Sequence, residues 1–315
     1  MKKLSSLIIF LAFAGLLSAQ QDPQFTQFMY NKLAYNPGYA GSNEAACISA
    51  LYRKQWIGLD GAPETALLSF NMPLQNNRVG VGGNIWYNTI GITETVNAEA
   101  AYAYRANLGE GTLGLGVMAS VRLMRANYNQ VDPLQAGDNS IPSGIQSKYV
   151  PNFGVGAYYN TNRFYIGLSA PRLLENNIDF SEENITLTRE VRHLYLMSGL
   201  VFNLSETVKF QPQVLLKYVR NAPFDADVNG NLIIYDRYTV GLSYRIGGSK
   251  ESGVGESVDL LLGAQVTDNL LFSLAYDITL SELRNYNSGT IEAMVRYCFG
   301  NISSSGGDYL NPRFF

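Results

Sequence analysis

Few residues in this sequence could do chemistry, and their spacing argues against it. There is one histidine, His193. It alternates with Val191 and Tyr195 in a strand-like pattern, and no cysteine or second histidine stands at metal-ligand spacing. No serine or carboxylate lies at a recognisable spacing to make a hydrolytic site with it. His193 is therefore expected to be a structural or rim residue, and no catalytic group, bound metal or cofactor is expected. Gly109-Glu110-Gly111-Thr112-Leu113-Gly114 fits the glycine pattern of a dinucleotide loop. That chemistry needs a helix directly after the loop, whose first N–H groups meet the pyrophosphate. Here Leu115-Gly116-Val117-Met118-Ala119 continues as a strand, so the expectation is a glycine-rich turn.

Asp225-Ala226-Asp227-Val228-Asn229-Gly230, followed by Leu232 and Asp236, has most of the spacing of a calcium loop, with Asp in place of the final Glu. Such a loop sits between two helices, whereas Pro223 precedes this one and a strand pattern follows it. The same residues alternate, with Asp225, Asp227, Asn229 and Asn231 on one face. A strand with a polar face is the better reading, and the sequence leaves calcium binding by Asp225, Asp227 and Asn229 open. Further ions fall on inward faces: Glu99, Arg105, Arg122, Lys209, Lys217, Arg245, Asp277, Glu292 and Arg296. They suit either a channel lining or partner site, or mutual pairing that fills a closed interior.

The elements that must hold these residues are strands. Tyr238, Val240, Leu242, Tyr244 and Ile246 alternate with Thr239, Gly241, Ser243 and Arg245, which is period two. A soluble sandwich also alternates, but its solvent face carries many charges. This chain is only 16% charged, against a globular norm of about 25%. A large apolar face backed by a small or polar one suits a barrel with lipid outside and a polar lumen. Every second connection is short: Gln75-Asn76-Asn77, Gly109-Glu110-Gly111, Asn160-Thr161-Asn162, Ser205-Glu206, Asp236-Arg237 and Thr267-Asp268-Asn269. The others are longer on average. The pattern predicts an all-β fold, an outer-membrane antiparallel barrel of about 14 strands, with short periplasmic turns, long extracellular loops and both termini facing the periplasm. Trp86-Tyr87, Tyr102, Tyr104, Tyr158-Tyr159, Tyr195 and Tyr218 lie near strand ends and are expected in the aromatic girdles.

The chain opens Met1-Lys2-Lys3, continues apolar to Leu17 and reaches Ser18-Ala19 before Gln20, the form of a cleaved signal peptide. The expected organisation is residues 1–19 as signal peptide and 20–43 as a periplasmic or lumenal segment. Residues 44–300 are expected to form the transmembrane barrel and 301–315 a periplasmic tail. Phe25, Phe28, Met29, Leu33, Tyr35 and Tyr39 make the 20–43 segment too apolar to float free, so it should pack at the periplasmic mouth or inside the lumen, with one or two helical turns. Closure makes the first and last strands neighbours. Cys47 and Cys298 then fall near the periplasmic rim, both pointing inward, and the stagger of those strands decides whether a disulfide forms. The net charge of −3 with scattered Lys and Arg gives no nucleic-acid stripe.

One stretch is distinctive: Asp22-Pro23-Gln24-Phe25-Thr26-Gln27-Phe28-Met29-Tyr30-Asn31, then Tyr35-Asn36-Pro37-Gly38-Tyr39-Ala40-Gly41. It resembles the opening of the PorP/SprF family of Bacteroidetes membrane proteins. The resemblance continues at Tyr52-Arg53-Lys54-Gln55-Trp56, Pro63-Glu64-Thr65, Gly241-Leu242-Ser243-Tyr244-Arg245, Tyr276-Asp277, Ser288-Gly289-Thr290-Ile291-Glu292 and Asn311-Pro312-Arg313-Phe314-Phe315. Thr290 departs from the family's more frequent Ser or Asn. The resemblance implies an outer-membrane component of the type IX secretion system, working in the secretion or surface anchoring of adhesins or gliding-motility proteins. Its implied partners are outer-membrane lipid, secretion components at the periplasmic face, and the C-terminal domain of a secreted adhesin. Asn36-Pro37-Gly38 also resembles the Asn-Pro-Ala turn in the hatch of long-chain fatty-acid transporters, which implies the alternative of a diffusion channel or hydrophobic-solute transporter.

Overall fold

In lipid no water is available to the main chain, so every N–H and C=O of a spanning segment must pair within the protein. The computed structural model meets that demand by closing one sheet on itself. It describes residues 23–43, 45–75, 77–131, 144–180, 189–220, 222–247 and 255–299. The expected signal peptide and C-terminal tail lie outside the described residues. The strands are β1 (Cys47–Lys54), β2 (Glu64–Leu74), β3 (Val79–Ile90), β4 (Thr93–Leu108), β5 (Gly111–Asn127), β6 (Ile145–Asn160), β7 (Phe164–Ala170) and β8 (His193–Leu200). They continue as β9 (Phe202–Asn203), β10 (Val208–Val219), β11 (Asp225–Ile234), β12 (Tyr238–Ile246), β13 (Ser257–Gln265), β14 (Leu270–Thr279) and β15 (Thr290–Cys298). Both β8 and β9 pair with β10, so they form one stave broken at Val201. The barrel therefore has fourteen staves. Each pairs antiparallel with its chain neighbour, and β15 pairs with β1 over eight residues, Cys47 opposite Cys298 and Lys54 opposite Ile291.

Period two sorts the side chains between two surroundings. On β12, Tyr238, Val240, Leu242, Tyr244 and Ile246 face out while Thr239, Gly241, Ser243 and Arg245 are buried inside. The turns after β2, β4, β6, β9, β11 and β13 are alternate connections of a closed antiparallel sheet, so they share one end. At one of them Tyr235 and Asp236 both have positive φ, 53° and 54°, and Arg237 N–H donates to Ile234 C=O at 3.0 Å. The two left-handed residues give the turn the form whose twist matches the strands, with Arg237 the third residue between the paired Ile234 and Tyr238. The opposite end carries the long connections, with one exception: β3 and β4 are joined only by Gly91-Ile92, Gly91 having φ +54°.

Residues 23–43 lie inside the barrel. Three short 3-10 turns, Phe28–Tyr30, Lys32–Ala34 and Pro37–Tyr39, take the place of regular helix. Phe25, Phe28, Met29, Leu33, Tyr35 and Tyr39 are all buried, forming one core cluster with inward residues of the wall. The segment runs the length of the lumen. Gln24 bonds to Asp225 at the long-loop end, and Gly41 meets Asn71 near the short-turn end, where β1 begins. The described segment therefore runs from the long-loop mouth at Gln24 to the short-turn rim, where β1 begins at Cys47.

The aromatic assignment needs correction for three residues. Tyr87, Tyr102, Tyr104 and Tyr218 face outward, but Trp86, Tyr158 and Tyr195 are 7%, 1% and 4% exposed and point inward. Trp86 lies beneath the guanidinium groups of Arg122 and Arg172, and the two tyrosines answer to the threaded segment. Tyr158 meets Tyr39 edge-on at 5.2 Å between ring centroids, and Tyr195 meets Tyr35 at 5.3 Å.

Candidate functional site

The polar and aromatic residues with functional potential converge on the threaded segment, which is seated by glycines. A Cβ built on Gly80 would overlap Ala40, on Gly116 the Pro37–Gly38 main chain, and on Gly156 the Asn36 side chain. At Gly80 and Gly116 another main chain passes directly over the wall, and at Gly156 the Asn36 side chain fills the space a Cβ would take. Asn36 locks the contact from the other side. Its Oδ1 accepts from Gly38 N–H at 2.8 Å and its Nδ2 donates to Ala157 C=O of β6 at 2.9 Å. Ser169 Oγ donates to Tyr35 C=O at 2.7 Å. Lys32 is buried, its ammonium 4.5 Å from the ring centre of Tyr165 and 5.5 Å from that of Tyr39.

Toward the long-loop end, three ionic networks fill the lumen. In the first, Arg53 of β1 is 1% exposed and ion-pairs with Asp277 of β14 at 2.8 Å and Glu292 of β15 at 3.0 Å. Thr26 completes it: its hydroxyl accepts from Arg53 at 2.9 Å and donates to Asp277 at 2.8 Å. The N–H groups of Thr26 and Gln27 donate to the two oxygens of Glu292 at 3.0 and 2.9 Å. Charge-assisted bonds of this kind are about twice as strong as neutral ones. In the second, Asp227 of β11 lies between Lys217 (2.7 Å) and Arg245 (2.6 Å), while Gln24 bridges Lys217 and Asp225. Asp225, Asp227 and Asn229 therefore lie on one strand, their side chains held by Lys217, Arg245 and Ser243. Among the described residues no group of His, Cys, Asp and Glu is arranged to hold a metal ion.

The third network lies under the 171–192 connection. Glu190 pairs with Arg122 at 3.0 Å and Arg172 at 3.7 Å and accepts from Asn152 at 2.8 Å. Glu99 accepts from Asn84 at 2.9 Å and Asn97 at 2.6 Å, with Arg172 4.0 Å away. Arg122 and Arg172 both stand over the Trp86 ring, 5.7 and 6.0 Å from its centre. Elsewhere, Arg105 donates to Ser42 at 2.7 Å, Arg296 lies 5.9 Å from the Tyr30 ring centre, and Lys209 pairs with Asp236 at the short-turn rim at 2.6 Å.

All nine ions singled out from the sequence thus face inward, divided among these networks and single contacts. The partners that organise them, Arg53, Arg172 and Glu190, were not singled out. Arg53 shares the parity of Cys47 on β1 and could have been found that way. Arg172 and Glu190 lie in an irregular connection with no period to reveal them. His193 Nδ1 is 2.8 Å from Val191 C=O and its ring stacks on Tyr195, a packing role. Cys47 and Cys298 stand opposite each other at the short-turn end, Cα atoms 4.0 Å apart, joined by a disulfide. A cavity beside Met29, Tyr30, Thr239 and Arg296 measures about 20 Å³, room for little more than one water molecule.

Sequence comparison places this lumen in a family. The model of the type IX secretion system membrane protein PorP/SprF matches residues 17–297. The chain belongs to the PorP/SprF family. It is an outer-membrane protein, and as a PorP/SprF member it is a membrane component of type IX secretion. In such a barrel the short-turn end faces the periplasm and the long-loop end the exterior. A search of curated proteins finds no significant match. Among solved structures the barrel is similar to the Acinetobacter baumannii outer membrane protein Omp33 (10% identity, 81% of this chain and 98% of that one, TM-score 0.48). It is also similar to a Pseudomonas aeruginosa FadL homologue (11%, 90% and 96%, TM-score 0.45) and to the CymD monoaromatic hydrocarbon channel (11%, 90% and 95%, TM-score 0.49).

Proposed function

We propose that this PorP/SprF protein serves the secretion or surface anchoring of adhesin-type proteins, as a fixed outer-membrane platform whose outer surfaces do the work. The observation that carries this reading is the filled lumen. Residues 24–42 occupy it, tied to β1, β14 and β15 by Thr26 and Gln27 and to β6 by Asn36. With the described lumen packed in this way, its rims and lipid-facing surface are the surfaces offered to partners. Its chemistry is that of binding, with no catalytic step. Deleting the gene and comparing proteins released and displayed at the surface tests the proposal. Specific surface proteins should disappear from the cell exterior and return on complementation. An unchanged surface proteome contradicts it. Affinity purification from solubilised outer membranes should recover periplasmic secretion components together with such a protein.

A second reading, a transporter for small or apolar solutes, draws on the same segment. Its glycine seat holds Asn36-Pro37-Gly38 by close contact rather than by covalent linkage, so a displaced segment would open a path. Solute uptake by vesicles carrying the intact protein favours this reading over the first.

A further inference from the structure

The outward face of the barrel is concave at the seam where β15 meets β1. A groove of about 550 Å³ crosses β14, β15, β1, β2 and β3 there. The strand register explains it. Tyr52 of β1 stands opposite Ala293 on one side and Ala66 on the other, and Ala66 in turn stands opposite Tyr87. The two alanines, with Ala50 next below Tyr52 on the outer face, keep the wall low, while the exposed rings of Tyr52, Tyr87 and Phe272 rise beside them. Every lining residue is alanine, valine, leucine, isoleucine, methionine, phenylalanine or tyrosine. Apolar sites for small molecules measure about 300–1,000 Å³, so the groove has the size of a ligand site.

Two charges above the groove fix its height in the membrane. Lys54 and Glu64 face outward at the outer ends of β1 and β2, joined at 2.6 Å, and the Tyr52 hydroxyl donates to Glu64 at 3.0 Å. Outward-facing charges do not stand in hydrocarbon, so this polar ledge marks the outer headgroups. Ala66, Tyr87 and Ala293 lie within three residues of Glu64, Ile90 and Thr290, the outer ends of their strands. That is roughly 10 Å or less along a strand. The groove therefore opens into the outer leaflet, directly beneath the ledge. Covering an apolar surface gains nothing by the hydrophobic effect there, because lipid tails are as apolar as leucine. What decides is contact, since lining atoms left without neighbours forfeit their dispersion energy. A tail lying along the groove restores that contact, with its headgroup at the ledge.

We propose that this groove is a lipid site, which holds an acyl chain of a lipopolysaccharide molecule as a bound ligand. The outer-membrane location supplies the occupant. The wall at this height already faces lipid, and lipopolysaccharide is the lipid of the outer leaflet. Its saturated chains suit an apolar trough, and its polar head suits a ledge that carries both an ammonium and a carboxylate. The site lies on the lipid-facing wall and does not depend on the platform role, so either reading can fail without the other.

Native mass spectrometry of the protein, extracted from outer membranes in mild detergent, reads the occupant. Ala66→Phe and Ala293→Phe fill the groove, whereas Ala119→Phe adds the same ring to the outward face of β5, outside it. Wild type and Ala119→Phe should carry lipopolysaccharide through extraction, and each filling variant should retain it about tenfold less or lower. p-Benzoylphenylalanine gives a second reading that needs neither filling variant to assemble. In native membranes it should link to lipopolysaccharide several-fold more at Tyr87 than at Val121, which faces lipid on β5. Wild-type protein extracted without lipid overturns the proposal, as does retention of phospholipid alone. Retention unchanged by the filling variants, or lost equally in Ala119→Phe, overturns it too. So does equal linking at Tyr87 and Val121, or linking at Tyr87 to a second copy of this chain or to another protein.

Discussion

Arg53→Met should destabilise the barrel more than any change of one exposed charge. Arg53 is 1% exposed, and its guanidinium serves Asp277 at 2.8 Å, Glu292 at 3.0 Å and Thr26 at 2.9 Å. Methionine keeps much of the aliphatic stem, so the loss is chiefly electrostatic. Removing one partner of a buried ion pair typically costs about 3–5 kcal/mol, because the remaining charge is stranded. Here two carboxylates on adjacent strands lose their common cation, so the upper part of that range is expected. In urea unfolding from phospholipid vesicles, with m about 1–3 kcal/mol/M, the midpoint should fall by roughly 2 M with the slope unchanged. The triple variant Arg53→Met, Asp277→Asn, Glu292→Gln should recover most of the loss, since a neutral set strands no charge. A single variant within about 0.5 kcal/mol of wild type, or a triple variant no better than the single one, would refute the network's structural role.

Gly116→Val should unseat the inner segment while leaving the barrel paired, because the new side chain occupies the space of Pro37 and Gly38. Protease should then cut within residues 24–42 in an assembled barrel, and an uncut segment would contradict the seat. The Cys47–Cys298 bridge spans 251 residues in sequence, and closing so long a loop is worth about 5 kcal/mol in the chain-entropy model. Cys47→Ser should therefore still close through the β1–β15 ladder but unfold at lower denaturant, while denatured wild-type protein without reductant should show no alkylatable thiol. Tyr158→Ala should cost about 3–5 kcal/mol as a buried aromatic, whereas Tyr104→Ala on the outer face should cost much less; equal effects would argue against the inward assignment.

The strand frame was legible because two different surroundings impose period two on every stave. The pattern from Tyr238 to Ile246 coincides with β12, and the alternate short turns locate one rim. The inward turn of Trp86 and Tyr158 was not legible. Glycines interrupt the parity of β3 and β6, and the rings answer to distant parts of the chain, Tyr158 to Tyr39 and Trp86 to Arg122 and Arg172. The pairing of Arg53 with Glu292 depends on the stagger at closure, which alternation does not specify. The Arg172–Glu190 arrangement depends on the path of an irregular connection. The aromatic content of residues 25–39 did announce a packed segment; its course along the whole lumen came only with the hydrogen bonds of Gln24, Thr26 and Asn36.

The central claim is that the lumen is closed and the protein works through its surfaces, and liposome swelling tests it most directly. Vesicles carrying the full-length protein should swell no faster in small sugars than empty vesicles, whereas vesicles carrying Gly116→Val should swell. Rapid swelling with the intact protein would contradict the account and favour a channel.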